Sequence, residues 1–246
     1  MKTFLTITGL FLNLAVHANT VETKTFDAKS IRKVDIDNSS GLVKVIGSDN
    51  SKATVTIEKV RFGDHCQLNL SQDGSKLKMD IERKNLGIGV ECKANVTFNI
   101  PKNAEIEVQS GSGNVEVTGV TRSLDFTIGS GDINIDAQLE KLNGKSGSGY
   151  ISFKGVVADV DLKAGSGDIK MIYEQPPQPG EVDIKTGSGN AALTLPGATE
   201  LNSSTITATG SVQNEFAANR NAKFKVSFRS GSGNISIKKT GSSSTN

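Results

Sequence analysis

The sequence predicts an all-β, single-domain β-solenoid with about 18 residues per coil and an irregular, disulfide-pinned N-terminal part. Three observations predict it. Gly-Ser-Gly occurs at 111–113, 129–131, 147–149, 165–167, 187–189 and 231–233, and the first four copies are 18 residues apart. Alternating apolar residues flank every copy, in the order apolar-x-apolar-x-x-Gly-Ser-Gly-x-apolar-x-apolar, the period of half-buried strands. Cys66 and Cys92 are the only cysteines, and in an oxidising compartment an isolated pair of this kind usually forms a disulfide. A metal pair completed by His65 is the weaker alternative, because a four-ligand site needs more than these three side chains.

Residues 1–18 read as an export signal. Lys2 supplies the charge, 4–16 is an apolar run, and Val16-His17-Ala18 presents small residues for cleavage after Ala18. The run is short for a membrane span and no later stretch approaches it, so no transmembrane segment is expected. The expected destination is the periplasm or the cell surface. Residues 19–105 read as an N-terminal β region that caps the solenoid, since an open end would expose unpaired backbone. A weak copy of the repeat stands at 34–45, with Ser39 in place of the first glycine, and alternating runs follow at 55–57, 66–70, 77–81 and 96–100.

Residues 106–240 form the regular part, with units opening at Ile106, Leu124, Leu142, Val160, Val182 and Val226. Those six residues make one inward column. The strand after the glycines supplies two more: Val115, Ile133, Ile151, Ile169, Ala191, Ile235, and then Val117, Ile135, Phe153, Met171, Leu193, Ile237. The glycines suit a sharp corner, being free to take positive φ and having no side chain to strike the next coil. Gly144, where neighbouring coils have Phe126 and Leu162, predicts a gap or a filling by Phe153. Two polar columns face outward. One reads Asp35, Glu107, Asp125, Asn143, Asp161, Asp183; the other reads Asp37, Gln109, Thr127, Lys145, Lys163, Lys185. Asp125, Asp161, Asp183, Lys145, Lys163 and Lys185 are the candidate binding residues. The segment 176–180 reads as a stiff proline loop, 196–223 as a degenerate coil plus a loop, and 241–246 as a disordered tail.

Twenty-eight Lys and Arg against 26 Asp and Glu leave the chain near neutrality, which argues against a nucleic-acid partner. No constellation for catalysis converges: charges are spread down columns, and beyond the signal the single histidine is His65. Gly-Ser-Gly-Asp at 129–132 and 165–168 has a flavour of calcium turns, but two scattered Asp cannot provide about six oxygens. Asn and Asp after the glycines are instead expected from turn geometry. Phosphate cradling needs a helix N-terminus, which these turns lack.

On the repeated Gly-Ser-Gly-[Asn/Asp]-[Ile/Val]-x-[Ile/Val], the chain resembles a bacterial “putative adhesin” domain of unknown function and is similar to the head GIN domain of autotransporter adhesins. The resemblance covers about 30–240. It implies an exported right-handed β-helix with a role in adhesion, and it supplies no catalytic or binding residues. The expected function is a non-catalytic, cofactor-free binding module that contacts cell-surface glycan or envelope protein. The alternatives are a structural scaffold that stacks end to end, or a polysaccharide-acting enzyme.

Overall fold

The computed structural model describes residues 20–84 and 91–241. The signal expected at 1–18, and 242–246 of the expected tail, lie outside them. The chain starts with β1 (Thr20–Asp27), a single 3-10 turn and a first coil of β2 (Lys33–Ser40) and β3 (Val43–Ser48). An excursion follows: β4 (Lys52–Arg61), the hairpin of β5 (Cys66–Asp73) and β6 (Lys76–Arg83), then β7 (Lys93–Pro101). Coils resume with β8 (Glu105–Ser112), β9 (Val115–Thr118) and β10 (Ser123–Ser130). Two long strands, β11 (Ile133–Ser148) and β12 (Ile151–Ser166), run through the variable corner without a break. The last seven are β13 (Ile169–Tyr173), β14 (Gly180–Ser188), β15 (Ala191–Leu195), β16 (Asn202–Thr209), β17 (Val212–Asn214), β18 (Phe224–Ser232) and β19 (Ile235–Lys239).

These strands form two parallel flanks joined by corners, an all-β, solenoid-like domain. On the front flank β2, β8, β10, the second halves of β11 and β12, β14 and β18 pair in turn. On the rear flank β3, β9, the first halves of β11 and β12, β13, β15 and β19 do the same. The register sets Leu124 against Ile106 and Leu142, and Ile133 against Val115 and Ile151. All three inward columns named from the sequence are buried. Each large aliphatic removed from water there stabilises by roughly 1.5–3 kcal/mol.

The excursion closes the N-terminal end. The β5–β6 hairpin extends the front flank against β2, while β7, β4 and β1 extend the rear flank from β3. Its antiparallel pairings mark the change from coil to cap. Cys66, at the start of β5, is disulfide-bonded to Cys92, just before β7, across 26 positions of sequence. This bond ties the two extensions together. Replacing both cysteines with Ser should lower stability by about 3 kcal/mol in the chain-entropy model. Equal urea midpoints for the oxidised chain and the double variant would show that the bond holds nothing.

At the other end the stacking departs from chain order. β18 pairs with β14 on one side and β16 on the other; β19 likewise lies between β15 and β17. The degenerate stretch 196–223 is therefore a coil, but it lies outermost, and the final Gly-Ser-Gly repeat is inserted behind it. Its inward positions are Ser203, Thr205 and Thr207, set against Val226, Phe228 and Ser230. Polar residues end the apolar column where no further coil would cover it.

The two glycines of each corner do different work. The second one (Gly113, Gly131, Gly149, Gly167, Gly189 and Gly233) has φ between 122° and 147°. The first is absent from the positive-φ set, contrary to the expectation for both. It is needed for close approach: a Cβ on Gly129 would lie 2.4 Å from the Gly111 carbonyl oxygen of the coil before. Gly41 and Gly210, both at positive φ, hold the second-glycine place in the two atypical coils. The space at Gly144 is filled by Phe126 and not by Phe153. An added Cβ would lie 2.0 Å from the Phe126 ring, which leans along the stack into the missing side chain's place.

Candidate functional site

The outward columns lie on the front flank, and strand pairing aligns them as expected. Glu107, Asp125, Asn143, Asp161 and Asp183 form one row across β8 to β14, and Gln109, Thr127, Lys145, Lys163 and Lys185 form the next. Ser227 and Arg229 continue the two rows on β18. Neighbouring strands stand about 4.8 Å apart, so like charges in one row repel. The structure offsets this along the strand: Lys163 binds Asp161 at 2.9 Å and Lys185 binds Asp183. Residues two apart on a strand share a face, which makes the pairing possible. Asp161 and Asp183 each turn the second carboxylate oxygen against the sheet, buried and without a hydrogen-bond partner among the described residues. Exposed pairs of this kind contribute tenths of a kcal/mol.

The pattern breaks in the middle of the stripe. Where the coils on either side have Asp125 and Asp161, β11 has Asn143, whose Nδ2 donates to Asp125 Oδ1 at 2.6 Å. Lys145 is thereby left without a carboxylate two residues back, and it forms no ion pair among the described residues. Thr127 and Asn143 are short, while Gln109 and Lys163 on either side are long. The result is an open hollow of about 380 Å³ floored by Asp125, Thr127 and Asn143 and rimmed by Glu107, Gln109, Lys145 and Lys163. It presents two cations (Lys145 and Lys163), three carboxylates (Glu107, Asp125 and Asp161) and two amides (Gln109 and Asn143) within one basin. Such a donor and acceptor set matches polyhydroxyl or mixed-charge ligands. No histidine is among the residues that line the basin.

Towards the N-terminal end the charges are more tightly paired. Lys33 donates to Glu107 at 2.9 Å, and this hydrogen bond holds its ammonium above the ordinary lysine value. Asp35 is bound by both Lys33 and Lys76. Partial burial, followed by the Asp80 carboxylate beside it, raises Asp37.

The post-glycine residues play a part that turn geometry alone missed. Asn114 accepts from the Asp132 N–H, Asp132 from the Tyr150 N–H, Asp168 from the Asn190 N–H and Asn190 from the Asn234 N–H, at 2.7–3.0 Å. No non-glycine residue has positive φ among those described. Asn and Asp are therefore selected to link coils, and each of these oxygens is engaged by the backbone. Tyr150 has no such oxygen, so the ladder skips one rung. Tyr150→Asn should raise stability by about 0.5–1 kcal/mol by accepting from the Asp168 N–H; a lower thermal midpoint would refute the ladder's contribution. The alternation could have revealed a second missed feature. The residue before each corner is inward and buried, and it is often polar: Ser110, Ser146, Thr186 and Ser230.

His65, Cys66 and Cys92 offer ligand atoms within 4.8 Å of one another. The disulfide engages both sulfurs, so the trio lacks the thiolates that a metal would need. The loop 176–180 is packed beside 198–200 and 221–224 around a separate open hollow.

Repeated glycine corners and two parallel flanks, the front one carrying the aligned Asp/Lys rows, define a solenoid-like β domain. The chain belongs to the Toastrack DUF4097 family, whose model matches residues 31–246. No curated protein matches the sequence. Among solved structures it is similar to “a putative adhesin” from Bacteroides fragilis NCTC 9343, at 15% identity over 89% of this chain and 97% of that one, TM-score 0.45. A “putative adhesin” from Parabacteroides distasonis ATCC 8503 matches at 11% identity over 89% and 97%, TM-score 0.43. A “putative lipid binding protein” from the same organism matches at 15% identity over 90% and 95%, TM-score 0.35. At such scores these likenesses say nothing about what the chain binds. No helix among the described residues is long and apolar enough to cross a membrane.

Proposed function

We propose that this chain is an exported, non-catalytic binding module that holds a linear glycan of the cell surface or envelope along its front flank. The observation that carries the reading is the central hollow, where Lys145 has no ion-pair partner among the described residues and Asn143 and Asp125 lie side by side. A polymer laid along the stack would meet a carboxylate or an amide at each coil from β8 to β14, and the hollow would seat one unit. The reading includes cleavage after Ala18, a periplasmic or surface location, and the adhesin-like role that the head GIN resemblance implies. Right-handed coiling belongs to it too, since parallel strand crossovers are right-handed in about 98% of cases.

A glycan array tests this directly. Retention of a charged or polyhydroxyl glycan should fall about tenfold or more in Asn143→Ala/Lys145→Ala, which removes an amide donor and a cation together. Equal retention by the double variant would remove the hollow as the site. Turnover of the retained glycan, abolished by Asp161→Asn, would favour an enzyme instead. Cell fractionation, with protease added to intact cells, distinguishes surface from periplasm.

A further inference from the structure

We infer that the C-terminal end of the stack is a self-association surface, where two copies pair β16 with β16 and β17 with β17 about one two-fold axis. These strands form the outermost coil, and each has a ladder partner on one side only among the described residues, β18 and β19 respectively. A free edge offers a row of unpaired N–H and C=O groups, and proteins ordinarily blunt it with charge or proline. Nothing of that kind is present here, because residues 201–214 contain no charged residue and no proline. The N-terminal end differs: the edge strand β1 carries Glu22, Lys24 and Asp27, and β5 ends on Asp73.

Two further observations point to the same end. Three large hydrophobic side chains are exposed among the described residues, and two of them, Ile206 at 62% and Val212 at 46%, stand on this coil. The coil also reaches the end out of chain order. The final repeat, with Lys225 and Arg229, would have closed the stack with charge, yet it lies inside, and the uncharged coil is outermost.

A second copy is the occupant that fits. A single extended peptide would cover one flank's edge and leave the other open. A copy turned about an axis perpendicular to both flanks meets both edges at once, antiparallel to each, and brings no charge against its like. Such a contact is isologous, so assembly closes at two and does not run on into a filament. The same operation maps the front flank onto itself. The two charged stripes would then form one surface, and each copy would raise the other's effective concentration for a polymer ligand. This inference stands apart from the glycan reading, because it concerns chain mass and needs no ligand.

Multi-angle light scattering on the exported chain, over a series from low to high micromolar, tests it. The expected mass is twice that of the chain at high concentration. Ile206→Glu should weaken the dimer by roughly tenfold or more, since like charges then meet at the junction. The position is exposed and paired in register with Arg229, so the variant should fold, which circular dichroism checks. Val21→Glu, at the opposite end, should leave the dimer unchanged, and Ile206→Cys should give a covalent dimer on oxidation. A monomer throughout the series would overturn the inference. So would mass growing past two chains, a dimer that survives Ile206→Glu, or one lost in Val21→Glu.

Discussion

Gly131→Ala is expected to lower the unfolding free energy by about 3–5 kcal/mol, near the upper end for a single substitution. Two costs combine. Gly131 has φ 122°, outside the regions open to residues with a side chain, and holding Ala there costs on the order of 1–3 kcal/mol. The new methyl would also lie 2.3 Å from the Gly113 carbonyl oxygen. That atom is backbone of the adjacent coil, so relief requires the stack to open. Gly129→Ala isolates the contact cost, having the close approach to Gly111 without positive φ. Gly74→Ala sets a lower bound on the dihedral cost, since φ there is 55°, within the left-handed region that side-chain-bearing residues occasionally adopt, and nothing lies within 4 Å. Urea unfolding of the three variants should rank Gly131 worst. If Gly74→Ala proved as harmful, coil spacing would not be what demands glycine.

The second large effect lies at Gly144. Gly144→Ala should cost about 3 kcal/mol, because the methyl and the Phe126 ring claim the same volume and close-packed interiors give little. Phe126→Ala should cost about 3–5 kcal/mol by leaving a cavity. Combined with Phe126→Leu, however, Gly144→Ala should become much milder, giving a coupling of about 1–3 kcal/mol in a double-mutant cycle. Additive losses would mean that ring and glycine are not one packing unit.

Much of the fold was legible in the chain because a repeat turns local pattern into tertiary register. Once the glycines phase the coils, Leu124 must stack on Ile106, and every inward and outward column follows from period-2 alternation. The charged stripe was legible for the same reason. Its central feature was not. The hollow depends on where short and long side chains fall beside one another, and Lys145 lacks the ion pair of Lys163 and Lys185 because Asn143 stands two residues earlier. That substitution is visible in the sequence, but its consequence appears only once side chains occupy space.

Composition and periodicity by themselves determined the class of the protein: all-β, coiled, glycine-cornered, with outward acidic and basic columns and a cysteine pair in the irregular part. These are matters of dihedral freedom and alternation, which act over a few residues. Only the tertiary structure decided which glycine of each corner needs its φ and which needs its missing Cβ, what fills the space at Gly144, and how the coils are linked through Asn and Asp. It also decided that the last repeat lies inside the stack and the uncharged coil at its end. Each of those depends on atoms brought within a few ångströms from positions 18 or more residues apart. The sequence could not order the final coils, because β18 can pair on either edge and local pattern does not say which neighbour arrives first.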